Sequence, residues 1–391
     1  MHYLELGGAE MSLIGLLLAL DYSKYEVDLF LHRHQGELMQ FIPKEVHLLP
    51  EISAYACIEG SIKEALIKGQ LGVVWGRLKA KLRARKYKPK DLSKPQYAIY
   101  QYIAQDVESH LPSLDKYGEY DLAISFLQPH NYVLNKVKAK KKACWIHTDY
   151  TKVEIDVEAE FPIWSAYDHI VSISPNVTKS FLQVFPSLKD KIIEIENILS
   201  SDFVRKRANE NDVSAEMPKR EGNVNILSVG RFTDAKNYDN VPDICRRIRE
   251  KGIDLHWYII GFGNETLIRK RIQETDMEDY VIILGKRTNP YPYIKACDIY
   301  AQPSRYEGKS VTVREAQILC KPVVVTNYPT AESQIINSID GVIVPMGNES
   351  CAQGMVAFIK DKKLQSQIVD YLQCHDLGNN DEVERMSLLF K

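Results

Sequence analysis

Short runs of β-branched and aromatic residues alternate with helical patterns along this chain of 391 residues. Runs of this kind, separated by helices, are typical of parallel strands that are covered on both faces. The alternation therefore predicts an α/β protein built from doubly wound parallel sheets. The predicted strands lie at residues 27–31, 121–126, 143–147, 169–174, 224–230, 255–261, 280–285, 299–304 and 322–327.

The length of the chain and one polar stretch predict two domains. A chain of 391 residues exceeds what a single hydrophobic core usually supports. Residues 205–223 contain almost no apolar residues, so they are predicted to form an exposed linker or long loop. The predicted N-terminal domain is then 1–204 and the C-terminal domain 224–376, followed by a terminal helix at 377–391 that packs back on the N-terminal domain.

Charge, cysteine content and hydropathy exclude several classes of protein. The formal net charge of −2 excludes a globally basic protein, so nucleic acid is not an expected partner. The seven cysteines include no C-x-x-C pair, which indicates neither a disulfide framework nor a zinc site and fits the cytoplasm. The apolar run at 13–20 is shorter than the ~20 residues that span a bilayer, so it predicts a buried helix rather than a secretory signal.

The start of the chain is unusual for an α/β domain. Only six residues precede the glycine turn GGAE, so most of a first strand is absent. Either that strand is very short, or the natural chain starts upstream of Met1, and the second interpretation is the expectation. A missing central strand would leave backbone groups of its neighbours unpaired.

The strongest local pattern is a pair of glutamates, Glu307 and Glu315, on either side of Gly308, Lys309 and Ser310. If a helix begins after this turn, both carboxylates lie near its N-terminus. The N–H groups and partial positive charge at that end favour a phosphate. Two glutamates beside an anion site imply sugar hydroxyls, so the pattern predicts a site for a phosphorylated sugar or nucleotide.

Two other loops follow predicted strands in the same half. Arg231 comes directly after one strand and Lys236 five residues later, a spacing that suits two cations on a diphosphate. Gly285 and Lys286 follow another strand and could place backbone groups against a nucleobase. Solvated loop cations and an ordinary loop are the other interpretations. The segment 259–265 lacks the third glycine of a dinucleotide fingerprint and predicts a tight turn instead.

The first half offers a glycine turn and two histidines. Gly7 and Gly8 allow the backbone to approach a ligand closely. His147 ends a predicted strand, where parallel sheets bind their ligands, and His130 follows another. Both histidines could equally have a structural role.

Together these motifs resemble glycosyltransferases of the GT-B fold, and specifically the retaining glycosyltransferase family 4. The segment VGRFTDAKN resembles the family's G-R-x-x-x-x-K-G loop, although Asn237 stands in place of the last glycine. IIGFGNE is similar to its G-x-G turn, and Glu307 to Glu315 matches its E-x7-E motif. The resemblance implies two Rossmann-like doubly wound parallel-sheet domains that face an interdomain cleft.

The resemblance also implies roles for individual residues. Glu315 would hold the ribose of the nucleotide, and Glu307 would contact the donor sugar. Arg231 and Lys236 would bind the diphosphate and stabilise the leaving group, while His147 would touch the donor sugar near the reaction centre. No cofactor or metal is expected.

The implied activity is transfer of a sugar from a nucleotide donor, with UDP expected, to a glycan or lipid-linked acceptor in cell-envelope polysaccharide synthesis. The anomeric configuration would be retained. Two alternatives remain open at this point. One is a nucleotide-sugar epimerase on the same fold, and the other is a non-catalytic protein that binds sugar nucleotides.

A basic stretch at 66–90 predicts contact with an anionic membrane surface. It contains no acidic residue and combines nine cations with an apolar stripe at helical spacing. The protein is thus expected in the cytoplasm, peripherally on the inner face of the membrane; in the competing interpretation the stripe joins the core. A second basic cluster at 136–142 is predicted to be solvated surface. The stripe consists of Leu71, Val74, Trp75, Leu78 and Leu82, and the cations are Lys68, Arg77, Lys79, Lys81, Arg83, Arg85, Lys86, Lys88 and Lys90.

Overall fold

The computed structural model describes residues 1–5 and 7–391. The chain forms two compact units, and each is described by itself. The first unit comprises residues 1–198 and 380–391, and the second comprises residues 199–379.

The first unit is an α/β unit with parallel strands. Its main sheet has the strand order β3-β4-β5-β6, and β1 and β2 form a separate parallel pair. The strands are β1 (Asp28–Leu29), β2 (His47–Leu48), β3 (Glu119–Ser125), β4 (Lys138–Ile146), β5 (His169–Ser172) and β6 (Ile192–Glu194). The helices are α1 (Gly8–Ala19), α2 (Ser53–Ala56), α3 (Ile62–Ile67), α4 (Leu71–Lys86), α5 (Ala98–Glu108), α6 (Asn131–Lys136), α7 (Val157–Ala166) and α8 (Pro175–Val184). Short 3-10 helices lie at Glu37–Phe41, Asp115–Tyr117, Pro186–Lys191 and Asn380–Phe390.

The second unit contains one parallel sheet with the order β12-β11-β10-β7-β8-β9. Its strands are β7 (Val224–Val229), β8 (Leu255–Ile260), β9 (Val281–Gly285), β10 (Ile299–Gln302), β11 (Val323–Thr326) and β12 (Val342–Val344). Its helices are α9 (Ser201–Arg207), α10 (Val241–Glu250), α11 (Thr266–Glu274), α12 (Tyr291–Ala296), α13 (Val311–Ile318), α14 (Asn348–Lys360) and α15 (Lys362–Cys374). Short 3-10 helices lie at Asp234–Lys236, Tyr238–Asn240 and Ala331–Ser333.

The strand order of the second unit creates a switch point between β7 and β10. The chain runs outward from β7 through β8 to β9, then returns to β10 on the other side of β7. Helices α10, α11, α14 and α15 pack against one sheet face, around the fully buried Trp257. The loops that leave β7 and β10 therefore diverge to opposite faces, which opens a crevice at the carboxyl end of the sheet.

All nine predicted strand segments contain a strand, and β2, β6 and β12 were not predicted. These three strands have only two or three residues each. The apolar run at 13–20 lies largely in α1 with a buried face, as predicted. Within the described part of the chain, no helix has the length and apolar character needed to cross a bilayer.

Most residues of the predicted exposed linker or long loop, 205–223, are exposed, and the segment contains no helix or strand after α9 ends at Arg207. This segment belongs to the second compact unit, which begins at Leu199 instead of at residue 224. Its few apolar residues, together with the last residue of α9, are buried in that unit and anchor it: Arg207, Ala208, Val213 and Met217. The C-terminal 3-10 helix, Asn380–Phe390, counts with the first unit.

Candidate functional site

The two loops at the switch point of the second unit are tied to each other. The Arg305 guanidinium, after β10, forms two bonds with the Asp239 carboxylate, at 3.0 and 2.8 Å. The Asn237 amide, after β7, donates to the carbonyl oxygen of Pro303 at 2.8 Å. Asn237 has φ 60°, so it fills the position of the family's glycine in the left-handed conformation that asparagine tolerates. The crevice loops are thus held in a fixed relation.

Lys236 and Glu307, predicted from separate motifs, form an ion pair across these loops. Lys236 Nζ donates to Glu307 Oε1 at 2.7 Å, and the Glu307 side chain is 10% exposed. The same oxygen accepts bonds from the Ser304 hydroxyl at 2.5 Å and the Gln302 amide at 3.0 Å. Glu307 therefore has neutral donors in addition to its cation.

Glu315 is buried in α13, and its surroundings differ from those of Glu307. The Tyr291 hydroxyl donates to Glu315 Oε1 at 2.8 Å. Burial raises the pKa of Glu315 to about 7, although the Tyr291 bond and the charge of Arg207 act in the opposite direction. Arg207 is buried and lies over the Tyr291 ring, at 5.8 Å from the ring centre. The sequence did not predict Arg207, because this residue lies near the start of the polar segment 205–223, for which a linker or long loop is predicted.

A hydroxyl and an amide from β10 connect the surroundings of the two glutamates. The Tyr300 hydroxyl donates to Gln302 Oε1 at 2.8 Å, and the Gln302 amide donates to Glu307. Burial raises the pKa of Tyr300 most, and the charges of Glu315 and Glu307 raise it further. Both carboxylates thus lie within electrostatic reach of one buried hydroxyl.

The N-terminus of α13 lies between Glu307 and Glu315 in the chain, as predicted. Ser310 is the residue before the helix, and its side chain does not cap the helix. Its own N–H donates to the Gln334 side chain at 3.0 Å. The N–H groups of the first turn of such a helix have no intrahelical acceptor, so they suit an anion. Gly308 and Lys309 belong to the same turn, and a Cβ at Gly308 would meet nothing within 4 Å.

Arg231 and Lys286 lie on loops that follow strands of the same sheet, and Gly285 is the last residue of β9. The Arg231 side chain is exposed and forms no ion pair with any residue that the structure describes. Gly285 has φ 75°, and its carbonyl oxygen accepts a bond from the Gly261 N–H at 3.0 Å. The Lys286 ammonium lies 5.7 Å from the centre of the Phe262 ring. Their contacts to a donor stay predictions.

In the first unit, His147 and His130 follow β4 and β3. Burial lowers the pKa of His147 to about 4 and that of His130 to about 3, so both imidazoles are neutral at pH 7. The buried Nε2 atom of each has no hydrogen-bond partner among the described residues. Gly7 precedes α1 and Gly8 begins it, so these glycines also form a helix N-terminus. Donor contacts from this unit stay predictions.

Comparison with known proteins addresses the family and the fold. Residues 209–373 match the family model described as "Glycosyl transferases group 1". Two solved structures cover nearly the whole chain. HepE of Anabaena in complex with UDP and glucose has a TM-score of 0.65 at 14% identity and covers 99% of this chain and 97% of that chain. A glycosyltransferase from Rickettsia africae ESF-5 has a TM-score of 0.64 at 16% identity and covers 100% and 96%.

The fold is therefore GT-B. The parallel sheets of the two units agree with this assignment, as the sequence predicted. A curated relative from Campylobacter jejuni is named N-acetylgalactosamine-N,N'-diacetylbacillosaminyl-diphospho-undecaprenol 4-alpha-N-acetylgalactosaminyltransferase. It is 31% identical over 144 residues, which are 36% of this chain and 38% of that protein. The chain spans less than half the length of this and of similarly matched curated relatives.

Proposed function

We propose that this GT-B protein is a retaining glycosyltransferase of family 4 that transfers a sugar from a UDP-sugar to a glycan or lipid-linked acceptor in cell-envelope polysaccharide synthesis. The observation that carries the proposal is the Lys236–Glu307 pair at the switch point, beside the uncapped N-terminus of α13. The match of residues 209–373 to group 1 glycosyl transferases supports it. So does the bound UDP of HepE, and the name of the Campylobacter relative supports a lipid-linked acceptor.

The chemistry assigned to this site is electrostatic. The exposed Arg231 and the paired Lys236 bind the diphosphate, and the first-turn N–H groups of α13 bind phosphate oxygens. Glu315 accepts the ribose hydroxyls, and Glu307 contacts the donor sugar. As the bond to the sugar breaks, negative charge grows on the leaving nucleoside diphosphate, where fixed cations and N–H dipoles stabilise it. In this proposal transfer needs no metal.

Calorimetry with UDP, GDP and ADP tests donor recognition directly. We expect UDP to bind, and Lys236→Ala to weaken its binding. The matched control is Lys295→Ala, because Lys295 is an exposed lysine of α12 in the same unit. If none of the three nucleotides binds the wild type, the proposal is wrong.

Product analysis separates the proposal from its alternatives. With UDP-sugars and a lipid extract, we expect NMR to show a new glycosidic bond with the anomeric configuration of the donor. Conversion of the donor sugar without an acceptor would indicate an epimerase instead. Binding of UDP-sugars without any turnover in the presence of acceptor-containing extract would indicate a non-catalytic binding protein.

Helix α4 supports a membrane-bound acceptor, because large apolar side chains on it face solvent. Leu71, Trp75, Leu78 and Leu82 are 66%, 64%, 43% and 58% exposed. Only Val74 of the predicted stripe is buried, so the interpretation in which the stripe joins the core is wrong for the other four residues.

Small residues explain why this face is turned outward. A Cβ at Gly76 would lie 2.5 Å from the Asp106 carbonyl oxygen of α5, and Ala80 is completely buried. Helices α4 and α5 therefore approach closely along a face of small side chains, and the large ones remain on the opposite face. Such a surface fits the boundary of a lipid bilayer.

Cations flank the exposed stripe. At 100° per residue, Lys81 and Arg85 fall on one side of the stripe and Lys86 on the other. These three, with Lys88 and Lys90, are exposed and form no ion pair with described residues. At about 1 kcal/mol per cation near an anionic leaflet, they could hold the first unit on a membrane reversibly. We therefore propose a peripheral position on the cytoplasmic face.

Vesicle binding tests this surface, and Trp75 reports on it. The other tryptophans, Trp145, Trp164 and Trp257, are at most 3% exposed, so brominated lipids should quench mainly Trp75. We expect binding to anionic but not to zwitterionic vesicles. Leu82→Ser should weaken it at least about tenfold, because one buried leucine contributes about 1.5–3 kcal/mol.

Leu267→Ser is the matched control, since Leu267 is 51% exposed on α11 of the second unit. Equal binding to both vesicle types, or unquenched Trp75, would contradict the membrane proposal and leave the donor site untouched.

A further inference from the structure

Two histidines and a glutamate converge in the first unit, outside the residues assigned to donor chemistry. Two backbone hydrogen bonds bring His2 and His32 together. The His32 N–H donates to the Met1 carbonyl oxygen at 3.0 Å, and the Arg33 N–H donates to the His2 carbonyl oxygen at 2.9 Å. Glu59 follows the short helix α2. In the part of the chain that the structure describes, His2, His32 and Glu59 are the one group whose ligand atoms could hold a metal ion, all lying within 4.8 Å of one another.

Two of the three distances suit the coordination sphere of a small divalent cation, and the third, between His2 and Glu59, is shorter than the separation of two ligands of one ion. The Nδ1 atoms of His2 and His32 are 3.3 Å apart, and His32 Nδ1 lies 3.9 Å from Glu59 Oε1. Nδ1 of His2 also contacts that carboxylate oxygen. Zinc bonds of 2.0–2.1 Å to nitrogen place neighbouring tetrahedral ligands about 3.3 Å apart. A small rotation of the Glu59 side chain would complete a three-ligand set.

A backbone carbonyl orients one of these imidazoles. His2 Nε2 lies 2.6 Å from the Gln128 carbonyl oxygen, so it must carry the proton and donate it. In the neutral ring this leaves the lone pair on Nδ1, directed at the Glu59 carboxylate. Two lone-pair atoms in contact repel unless a cation lies between them. A carbonyl that binds the second nitrogen of a ligand histidine is the usual outer partner in metal sites.

We propose that His2, His32 and Glu59 form a binding site for a divalent transition metal such as Zn²⁺, with a fourth position open to water or to a ligand. Two imidazoles and one carboxylate are a common donor set for such metals. Both imidazoles line a cavity of about 840 Å³ in the first unit, which provides space for a fourth ligand. This site is independent of the proposed sugar transfer, which requires no metal.

Metal titration of chelator-treated protein without a histidine tag tests the site. We expect one Co²⁺ per chain, with the visible absorption of a tetrahedral complex, and displacement of Co²⁺ by Zn²⁺. Glu59→Gln keeps the shape of a partly exposed side chain, and it should weaken binding about 100-fold or more, since even outer-partner changes cost 10–100-fold. His32→Ala should do the same. His34→Ala is the control, because His34 is an exposed histidine two positions further along the same loop.

Two results would overturn the metal site. One is a wild type that takes up no Co²⁺ or Zn²⁺ at micromolar concentration, which would mean that a proton, not a metal, joins His2 to Glu59. The other is a wild-type affinity in both Glu59→Gln and His32→Ala. Neither result bears on UDP binding or sugar transfer, which the calorimetry and product analysis decide separately.

Discussion

Replacing Glu315 with glutamine should stabilise the second unit at alkaline pH and weaken nucleotide binding at the same time. The buried carboxyl has a pKa of about 7 in the fold against an ordinary value of 4.5. At 1.36 kcal/mol per pH unit, this difference corresponds to about 3 kcal/mol. Because the pKa is raised on folding, the contribution of this group to stability is complete below pH 4.5 and is lost as the pH rises through 7.

The expected change in stability follows from the sign of this linkage. At pH 8 the wild type carries a buried carboxylate, whereas the Glu315→Gln side chain is neutral and its oxygen can still accept the Tyr291 bond. The variant should then be more stable by up to about 3 kcal/mol, or about 6–12 °C in Tm for a unit of this size. At pH 5 the wild-type carboxyl is protonated, so the two proteins should unfold alike.

Nucleotide binding should change in the opposite direction. A carboxylate that accepts hydrogen bonds from ribose hydroxyls contributes on the order of 1.5–3 kcal/mol to the free energy of binding. Loss of this carboxylate should therefore weaken UDP binding by about 10- to 100-fold at pH 8. In the wild type, UDP affinity should also fall as the pH decreases below 7, because the carboxyl must lose its proton to bind as a carboxylate. In Glu315→Gln the part of this pH dependence that comes from the carboxyl should be absent, and only the part that comes from the terminal phosphate of UDP, whose second pKa is about 6, should remain.

Urea unfolding at pH 5 and pH 8, with calorimetry at the same pH values, measures both effects. Glu332→Gln is the control, because Glu332 is an exposed glutamate of the same unit. The reasoning is refuted if Glu315→Gln changes stability equally at both pH values, or if it lowers stability at pH 8. Unchanged UDP affinity would refute the ribose contact alone.

Five further substitutions, at four positions, test the loops at the strand ends. Lys236→Ala should lower turnover by about 100- to 1000-fold, the usual effect of removing one group that stabilises the transition-state charge, as initial rates with UDP-sugar would show. Gly261→Ala should cost about 1–3 kcal/mol in urea unfolding, because its Cβ would lie 2.0 Å from the Gly230 carbonyl oxygen, while Gly308→Ala should be nearly neutral. Asn237→Ala should lower the free energy of unfolding by about 1–2 kcal/mol because alanine disfavours the left-handed backbone at φ 60°, and loss of the side-chain hydrogen bond adds to this. In urea unfolding, Asn237→Gly should lack the cost of the left-handed backbone and keep only the loss of the hydrogen bond.

The sequence predicts the fold where the apolar pattern is long enough to be distinctive. The fully buried strand β8 and its neighbour β7 are six residues long and consist mostly of apolar residues, and the predicted bounds of both differ from the observed ones by one residue. Strand β1 has only two residues but lies in the run VDLFL, whereas the two residues of β2 lie between Glu45 and Pro50 without such a run, so the apolar pattern does not predict β2. For a related reason, the apolar pattern does not indicate that the exposed segment after α9 is anchored in the second unit. Its anchoring residues, Val213 and Met217, are isolated among polar residues, and only the packing of the second unit shows that they are buried.

Individual residues of the candidate site could be predicted from the sequence, but the contacts between those residues could not. Strand ends and spacing pointed to Lys236 and Glu307 separately, whereas their ion pair depends on which strands are neighbours in the sheet. The same limit applies to α4. Helical spacing revealed an apolar stripe, but its exposure depends on Gly76 and Ala80, which pack against α5 in its place.

If Lys236 binds the diphosphate as proposed, the other contacts of Glu307 allow it to do so without leaving a buried carboxylate unpaired. A buried carboxylate that lost its only cation would be destabilised by several kcal/mol. Glu307 Oε1 also accepts bonds from Ser304 and Gln302, so it keeps two partners if Lys236 turns toward a phosphate. The ammonium has three N–H donors and can bind both oxygens at once. The exposed Arg231 can meet the donor first, and Lys236 can then join it without leaving Glu307 unpaired. A buried structural ion pair needs such additional hydrogen bonds as well. The proposed binding role of the pair is therefore decided by whether Lys236→Ala weakens UDP binding.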